Sequence, residues 1–233
     1  MKPVKKGGSP RAYAAYKSAK ADLIAALGAQ CSYCEAAKDP QDLHVEHIYP
    51  KDPHPERALL WENFLLSCSS CNSYKSQHLG NRRRRGLETR YVWPHLDNTF
   101  RVFKYSSDGR VELRARLREH ITKAANFTID MFGFMLSPQK AKSYSKKGIA
   151  FDGVSKRKEQ WAQVTQFRVM YLGNPTMSNA VTISNAAAKM GYFSIWMEVF
   201  KDRAEVRKEL IRAFKADPDC FDGGTCPVKR GRI

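Results

Sequence analysis

The segment that decides the fold runs from residue 31 to residue 75 and opens with the sequence CSYC at 31–34. A second pair of the same form, CSSC, occupies residues 68–71. Two Cys-x-x-Cys pairs provide four thiolates, which is the ligand set of a tetrahedral structural zinc ion. A redox dithiol is the alternative for one pair, and the second matched pair argues against it. The spacing therefore predicts a structural Zn²⁺ bound by Cys31, Cys34, Cys68 and Cys71.

Between the two cysteine pairs lie residues of the types that activate water and bind a hard metal ion. Residues 44–51 read HVEHIYPK, so that Glu46 and His47 are adjacent. A carboxylate suits Mg²⁺, and a neutral imidazole can take a proton from water near neutral pH. Neighbours in a regular strand point to opposite faces, so both side chains can reach one phosphate only if the strand ends or bends there. Pro50 favours such an early end. His44 is a further ligand, a support for the strand or a side chain that faces solvent.

Composition favours a polyanionic partner. The chain has 233 residues, of which 42% are hydrophobic, and a formal net charge of +17. So large a positive charge is typical of proteins that bind nucleic acid, with an anionic membrane surface as the alternative. The sequence contains no apolar run approaching the roughly 20 residues of a membrane-spanning helix. The basic amino-terminal residues lack the apolar core of a signal peptide, so we expect a cytoplasmic protein.

Charge and cysteine placement refine this expectation. Residues 40–80 carry three Lys or Arg against five acids, whereas residues 81–120 carry eleven against five. An acid-lined pocket set in a phosphate-binding surface fits this distribution. The run of arginines at 82–85 is either a phosphate contact or a solvated loop. Lys51 and Lys75 flank the predicted site and are either phosphate ligands or ordinary surface lysines. The remaining thiols, Cys220 and Cys226, are expected to be free, with a second metal site as the alternative.

Hydrophobic periodicity and turn residues place these motifs on elements. They predict an amino-terminal helix from the Ser9-Pro10 start to Gly28, then strands at 43–48 and 63–66 and a helix that opens at Asn72. A hairpin is predicted at 100–115. Helices are predicted at 119–136 and 155–172, with one or two more in 178–216 and a turn-rich tail at 217–233.

The fold class predicted is therefore α+β and mostly α. A zinc-pinned strand–loop–strand–helix unit is followed by a basic, mainly helical region with one hairpin. Three segments are expected: a basic arm and helix at 1–30, a zinc-pinned core with the candidate catalytic residues at 31–80, and a basic, mainly helical region for substrate or partner binding at 81–233.

The segment resembles the HNH endonucleases, whose ββα-metal fold is a β-hairpin and a helix around one catalytic divalent ion, Mg²⁺ or another such as Mn²⁺. This resemblance implies that His47 is the general base and that Glu46 and Asn72 are metal ligands. It implies that Asn63 ties down the loop that carries His47. The family more often has Asp where Glu46 stands and His where Asn72 stands, and these differences are expected to tune metal affinity.

Five strings within residues 1–80 make the resemblance closer to one branch, the HNH subunits of Septu and retron-linked anti-phage systems: KPVKK, CSYCE, VEHIYPK, WENFLL and CNSYK. That branch implies an ABC-type ATPase partner, which composition and spacing do not show. DNA is the family's usual substrate, and a structured RNA such as tRNA is the alternative. A zinc module that binds nucleic acid or a protein without cleaving anything is the competing function, and it leaves Glu46, His47 and Asn63 without a role.

Overall fold

A computed structural model describes residues 1–80, 83–135 and 152–233. Its centre is a two-stranded antiparallel sheet followed directly by a helix. Strand β1 (Leu43–His47) pairs with β2 (Phe64–Cys68), so that Leu43 lies opposite Cys68 and His47 opposite Phe64. Helix α2 (Ser69–Leu79) begins at the residue after β2. The predicted strand–loop–strand–helix order is confirmed, although α2 begins three residues earlier than Asn72.

The amino-terminal arm differs from the prediction. Residues 1–15 form neither helix nor strand, a short 3-10 turn covers Tyr16–Ala19, and α1 covers Lys20–Leu27. The helix start predicted at Ser9-Pro10 is wrong because the Ser9 hydroxyl bonds the Arg11 carbonyl oxygen (2.7 Å) instead of capping a helix. The end at Gly28 is confirmed, since Gly28 has φ 81° and its amide bonds Ile24 O at 2.9 Å.

Tertiary contacts hold this arm against the start of β2 and the residues that precede it. The ring of Tyr13 stacks on Trp61 with centroids 6.0 Å apart, and the Trp61 indole N–H donates to the Gly7 carbonyl oxygen at 3.1 Å. The Lys6 ammonium donates to the carbonyl oxygens of Trp61 and Phe64, both at 2.7 Å. These contacts satisfy backbone groups next to β2, so the arm packs as part of the fold.

The region after α2 is mainly helical. It contains α3 (Leu87–Arg90), the hairpin strands β3 (Phe103–Tyr105) and β4 (Val111–Leu113), α4 (Glu119–Phe132), α5 (Gly153–Gly173), α6 (Met177–Met190), α7 (Phe193–Val199) and α8 (Ala204–Ala213). The predicted hairpin is confirmed with shorter strands. Helix α4 ends at Phe132 because Gly133 adopts a left-handed conformation, φ 61°. Leu136, the predicted end, lies outside the described residues.

Residues 177–213 form three helices where one or two were predicted. The break between α6 and α7 occurs at Gly191 and Tyr192, which have φ values of 82° and 60°. A Cβ on Gly191 would lie 2.4 Å from the amide nitrogen of Ala37, so only glycine fits there. The helical region thereby approaches the backbone that follows the first cysteine pair.

One core joins the zinc segment to the helices. Buried apolar side chains from Met1 to Ile233 form a continuous cluster. At its centre the Tyr33 ring stacks on Phe132 with centroids 4.0 Å apart. The predicted α+β, mainly helical class is confirmed, and the assignment of separate functions to residues 1–30, 31–80 and 81–233 stays a prediction.

Candidate active site and zinc site

The four predicted cysteines form one buried cluster. The Sγ atoms of Cys31, Cys34, Cys68 and Cys71 all lie within 4.8 Å of one another. The Cys34 and Cys68 sulfurs are 3.9 Å apart, close to the edge of about 3.8 Å in a tetrahedron with Zn–S bonds of about 2.3 Å. Hydrogen bonds among the thiols raise the pKa of Cys34 and Cys71 and lower that of Cys68. A zinc ion would stabilise all four as thiolates, so the donor set fits this metal.

A tight turn at Glu35 shapes the first cysteine pair. The Glu35 amide bonds Cys31 O at 3.0 Å, and its backbone adopts φ 65°, which is uncommon for a residue with a side chain. The Glu35 carboxylate, 1% exposed, accepts hydrogen bonds from the amide (2.9 Å) and hydroxyl (2.6 Å) of Ser194. Helix α7 therefore supports the turn that presents Cys31 and Cys34.

The end of β1 brings five of the predicted site residues to one cavity. β1 stops at His47, and the Ile48 amide bonds Asn63 O at 2.9 Å, which begins the loop to β2. A cavity of about 230 Å³ is lined by five of the predicted residues and by Tyr16. The predicted residues that line it are Glu46, His47, Lys51, Asn72 and Lys75.

His47 is held in one tautomer. Its Nε2 lies 3.0 Å from the Ala58 carbonyl oxygen, which can only accept, so Nε2 must carry the proton. Nδ1 then carries the lone pair that can accept a proton. Tyr16 and Phe64 contact the ring edge-on, with centroid distances of 4.9 and 5.3 Å. Burial lowers the pKa of His47 below its ordinary value of 6.5, with the Ala58 hydrogen bond acting in the opposite direction.

The Glu46 carboxylate is buried and has a partner at each oxygen. Oε1 accepts a hydrogen bond from Lys75 Nζ at 2.6 Å, and Oε2 accepts one from the Tyr33 hydroxyl. Lys75 also donates to the His47 carbonyl oxygen at 2.5 Å. Glu46 and Lys75 are each 3% exposed, so Lys75 is not an ordinary surface lysine.

Asn63 supports the loop and does not line the cavity. Its Oδ1 accepts from the Tyr49 amide at 2.7 Å, and its Nδ2 donates to the carbonyl oxygens of Tyr49 and Arg57, both at 3.0 Å. Asn63 is only 4% exposed. These bonds tie together the loop that supplies Ala58 O to His47, which is the geometry expected of a positioning residue.

The other predicted candidates lie at the periphery. Lys51 is half exposed and pairs with Asp52 at 3.0 Å. His44 is exposed and its Nε2 lies 3.0 Å from the Ser69 hydroxyl, so it supports the junction of β1 with α2. Arg83 pairs with Glu56 at 3.0 Å, and Arg82 lies outside the described residues. Cys220 is buried and Cys226 is exposed, and neither belongs to the four-cysteine cluster.

Sequence reasoning missed three functional contacts: the Tyr33 hydroxyl on Glu46, the Tyr16 ring on His47, and the Ala58 carbonyl oxygen. Tyr33 lies between Cys31 and Cys34. Its position between two predicted zinc ligands was the available sequence signal that its side chain would be buried near the site. A carbonyl oxygen carries no sequence signal, because every residue has one.

The chemistry of the remaining donors fits a hard divalent ion. Glu46 and Asn72 offer carboxylate and amide oxygens at one cavity, and Mg²⁺ prefers oxygen ligands. The Glu46 carboxylate already accepts a cationic partner in Lys75. A metal ion at Glu46 would therefore have to share or displace that ammonium group.

An antiparallel strand pair that ends at a histidine and continues into a helix, beside four clustered cysteines, defines a ββα-metal domain. In agreement, the model of the family described as HNH endonuclease matches residues 31–78. Residues 31–78 are therefore similar to the HNH endonuclease family.

Two curated relatives extend the comparison. The chain is 38% identical over 96 residues to the Septu protein PtuB of Bacillus thuringiensis, covering 39% of this chain and 35% of that protein. It is 27% identical over 109 residues to the protein assigned as the HNH endonuclease of retron Vc95 in Vibrio cholerae serotype O1 biovar El Tor, covering 46% of this chain and 52% of that protein. The matches thus span about a third of the Septu protein and about half of the retron protein. Within the described ranges, no helix combines the length and apolar character needed to cross a membrane.

Proposed function

We propose that this protein is a metal-dependent endonuclease that hydrolyses phosphodiester bonds of nucleic acid, with DNA as the favoured substrate. The observation that carries the proposal is the hydrogen bond between His47 Nε2 and the Ala58 carbonyl oxygen at 3.0 Å. It leaves Nδ1 as the proton acceptor at a cavity shared with Glu46 and Asn72. The HNH family match over residues 31–78 supports the same reaction.

His47 supplies the base. Its lowered pKa keeps the imidazole neutral at neutral pH, so Nδ1 can take a proton from a water molecule as the water oxygen attacks phosphorus. The new P–O bond forms while the bond from phosphorus to the leaving sugar oxygen breaks, and the leaving oxygen takes its proton from solvent. The bond to Ala58 O keeps the imidazolium oriented after it has accepted the proton.

Glu46 and Asn72 are the residues that would hold the divalent ion, with Mg²⁺ favoured by their oxygen donors. When bound, such an ion supplies charge stabilisation to the phosphate and to the leaving oxygen. The Tyr33 hydroxyl orients the Glu46 carboxylate through its hydrogen bond to Oε2. The cluster of four cysteines is the structural Zn²⁺ site, because four filled positions leave none for substrate.

Lys51 and Lys75 would contact substrate phosphate in different ways. Lys51 is half exposed at the cavity and, among the described residues, pairs only with the exposed Asp52, so phosphate can replace that partner at little cost. Lys75 is buried between Glu46 and the His47 carbonyl oxygen. Its ammonium can turn to a phosphate only when another cation takes its place at Glu46.

A cleavage assay with matched histidine variants tests the proposal. Wild type, His47→Ala and His44→Ala would be incubated with Mg²⁺ and either end-labelled DNA or total tRNA, each with and without a candidate ATPase partner. Cleavage lost in His47→Ala and kept in His44→Ala is expected, because His44 is exposed on the same strand and its ring bonds the Ser69 hydroxyl. The labelled substrate that is cut decides between DNA and RNA. Retained cleavage in His47→Ala would contradict the role of His47.

The same assay separates a nuclease from a passive binder. A zinc module that only binds nucleic acid would retain it on a gel, cut neither DNA nor RNA under any condition, and show no dependence on Mg²⁺. The burial of Glu46, His47 and Lys75 around one cavity favours the enzyme, since a binding module has no need of a buried carboxylate and base.

The biological setting rests on the relatives. Similarity to a Septu protein and to a retron HNH endonuclease supports a role as the effector of an anti-phage defence system. An ABC-type ATPase partner follows from the resemblance to that branch, and a cytoplasmic location is proposed separately. Co-purification with an ATPase encoded beside it, and a change in cleavage when the ATPase is added, would test the partnership.

A further inference from the structure

A second basic cavity lies outside the candidate active site. It has a volume of about 270 Å³ and lies where the residues after β4 meet the carboxy-terminal tail. Five cationic residues line it: Arg101, Arg116, Arg118, Lys229 and Arg232. Its other lining side chains are small or aliphatic, and none of the lining side chains among the described residues is acidic or aromatic. It shares no lining residue with the cavity at His47.

Four of these cations lack partners within the described structure. The side chains of Arg101, Arg116, Arg118 and Lys229 are exposed and make no hydrogen bond or ion pair to any described residue. Nearby arginines behave differently, since Arg114 pairs with Glu198 and Arg230 pairs with Asp217 at 2.5 Å. Like charges around one cavity repel each other unless an anion lies between them. The unpaired cluster is therefore suited to an anionic ligand.

Local backbone contacts hold the cluster in place. Arg232 pairs with the buried Asp97 at 3.0 Å and also donates to the Tyr91 carbonyl oxygen, which fixes the tail. A Cβ on Gly231 would lie 2.2 Å from Leu96 O, so only glycine lets the tail approach this closely. Arg116 adopts φ 62°, a left-handed conformation that arginine seldom takes. This turn places Arg116 and Arg118 at the same cavity.

The chemistry of the residues that line this cavity favours the sugar–phosphate backbone as the ligand. Arginine guanidinium groups match phosphate oxygens in a bidentate fork. Arg118 is also the residue before the first turn of α4, where free backbone N–H groups favour an anion. No aromatic ring is available among the lining residues to stack a base. Contact through phosphates alone would be independent of sequence.

We propose that the cavity lined by Arg101, Arg116, Arg118 and Lys229 is a second binding site for the phosphate backbone of nucleic acid, outside the HNH domain. It holds the substrate while the His47 cavity performs the chemistry. This inference rests on the proposed function, because it takes nucleic acid as the substrate. It assigns part of the binding affinity to residues 101–118 and 229–232.

The test measures binding without cleavage. In a His47→Ala background, Arg116→Glu/Arg118→Glu would be compared with Lys189→Glu/Lys208→Glu, which makes the same charge change at exposed lysines outside the cavity. Fluorescence anisotropy would give Kd for a labelled DNA duplex and an RNA hairpin over a range of salt. Zinc content and the unfolding midpoint of each variant would establish that it is folded.

Loss of two phosphate contacts should make the negative slope of log association constant against log salt shallower by about 1.8 for duplex DNA. It should also raise Kd about tenfold near physiological salt. The lysine control should change Kd much less. Equal weakening in both variants, or no nucleic-acid binding by the parent, would overturn the inference. The inference would also be overturned if polyglutamate bound this cavity and nucleic acid did not, because the ligand would then be an acidic protein segment. Because cleavage is not measured here, a failed nuclease assay remains distinguishable from a failed binding site.

Discussion

The Lys75 ammonium lies 2.6 Å from Glu46 Oε1, and both residues are only 3% exposed. This buried ion pair places a cation at the carboxylate that the HNH resemblance identifies as a metal ligand. The Tyr33 hydroxyl donates a hydrogen bond to the other carboxylate oxygen, Oε2. In the metal-free protein, Lys75 therefore neutralises a charge that would be costly to leave unpaired away from water.

Replacing Lys75 with the uncharged, similarly long methionine should destabilise the metal-free protein. Removing one partner of a buried pair costs about 3–5 kcal/mol because the other charge is left uncompensated. A divalent ion should restore part of this loss, since it can take the place of the ammonium at Glu46. Denaturant unfolding with and without Mg²⁺ measures both effects.

Two variants control this prediction. Lys51→Met removes a half-exposed lysine from the same cavity and should leave the denaturant midpoint close to that of wild type. The double variant Glu46→Gln/Lys75→Met removes both charges and should be more stable than Lys75→Met alone. If Lys75→Met unfolds at the same denaturant concentration as wild type, Lys75 does not stabilise the protein by compensating the charge of Glu46.

Cleavage should depend on the protonation state of His47. Burial lowers the pKa of this imidazole below 6.5, so its neutral, basic form is the major one at neutral pH. Below that pKa the ring is protonated and cannot accept a proton from water. We expect kcat/KM to fall tenfold per pH unit at low pH, with a midpoint below 6.5, and to level off above it.

The same shift predicts the direction of a stability change. The unfolded chain binds a proton at this histidine more readily than the folded chain does, so stability falls as pH drops from about 6.5 through the folded pKa. Titration of the His47 ring by NMR gives the folded pKa directly. A midpoint above 6.5 in both the rate profile and the NMR titration would contradict the assigned environment.

Zinc should be bound by the four clustered thiols and by no other cysteine. Cys68→Ser is expected to lose the metal and to unfold at markedly lower temperature, because the zinc links the end of β2 to the turn at Cys31 and Cys34. Cys226→Ser changes an exposed thiol outside the cluster and should keep one zinc per chain. Metal analysis and thermal unfolding of the two variants give the comparison. Full zinc occupancy in Cys68→Ser would rule out the proposed ligand set.

The sequence predicted those parts of the site that depend on local pattern. The paired cysteines needed only their spacing, and Pro50 indicated an early end of β1, which was predicted at Ile48 and lies one residue earlier at His47. The start of the first helix was wrong because local cap preference at Ser9 lost to packing of Tyr13 on Trp61, a contact between segments 48 residues apart in number.

Contacts between distant segments set the limit of the prediction. The Glu35 turn depends on Ser194, which is separated from it by 159 positions. The burial of Lys75 depends on its meeting Glu46 across the sheet–helix junction. No periodicity or spacing rule predicts such long-range contacts, because they form only when whole elements pack together.

Asn63 should act on catalysis by positioning the loop and not by touching substrate. Its side chain makes three hydrogen bonds to Tyr49 and Arg57 backbone groups and lies outside the His47 cavity. Asn63→Ala leaves those buried groups unpaired and should cost about 2–4 kcal/mol of stability. The loop would then hold the Ala58 carbonyl oxygen less firmly against His47 Nε2.

Three readouts separate this role from direct catalysis. Hydrogen exchange at the Tyr49 amide, whose acceptor is Asn63 Oδ1, should speed up in Asn63→Ala. The maximal cleavage rate should fall by about tenfold or more, since small misplacements of a catalytic group are costly. Mg²⁺ affinity should stay near wild type because Glu46 and Asn72 keep their surroundings. Loss of Mg²⁺ binding with an unchanged Tyr49 exchange rate would instead place Asn63 at the metal.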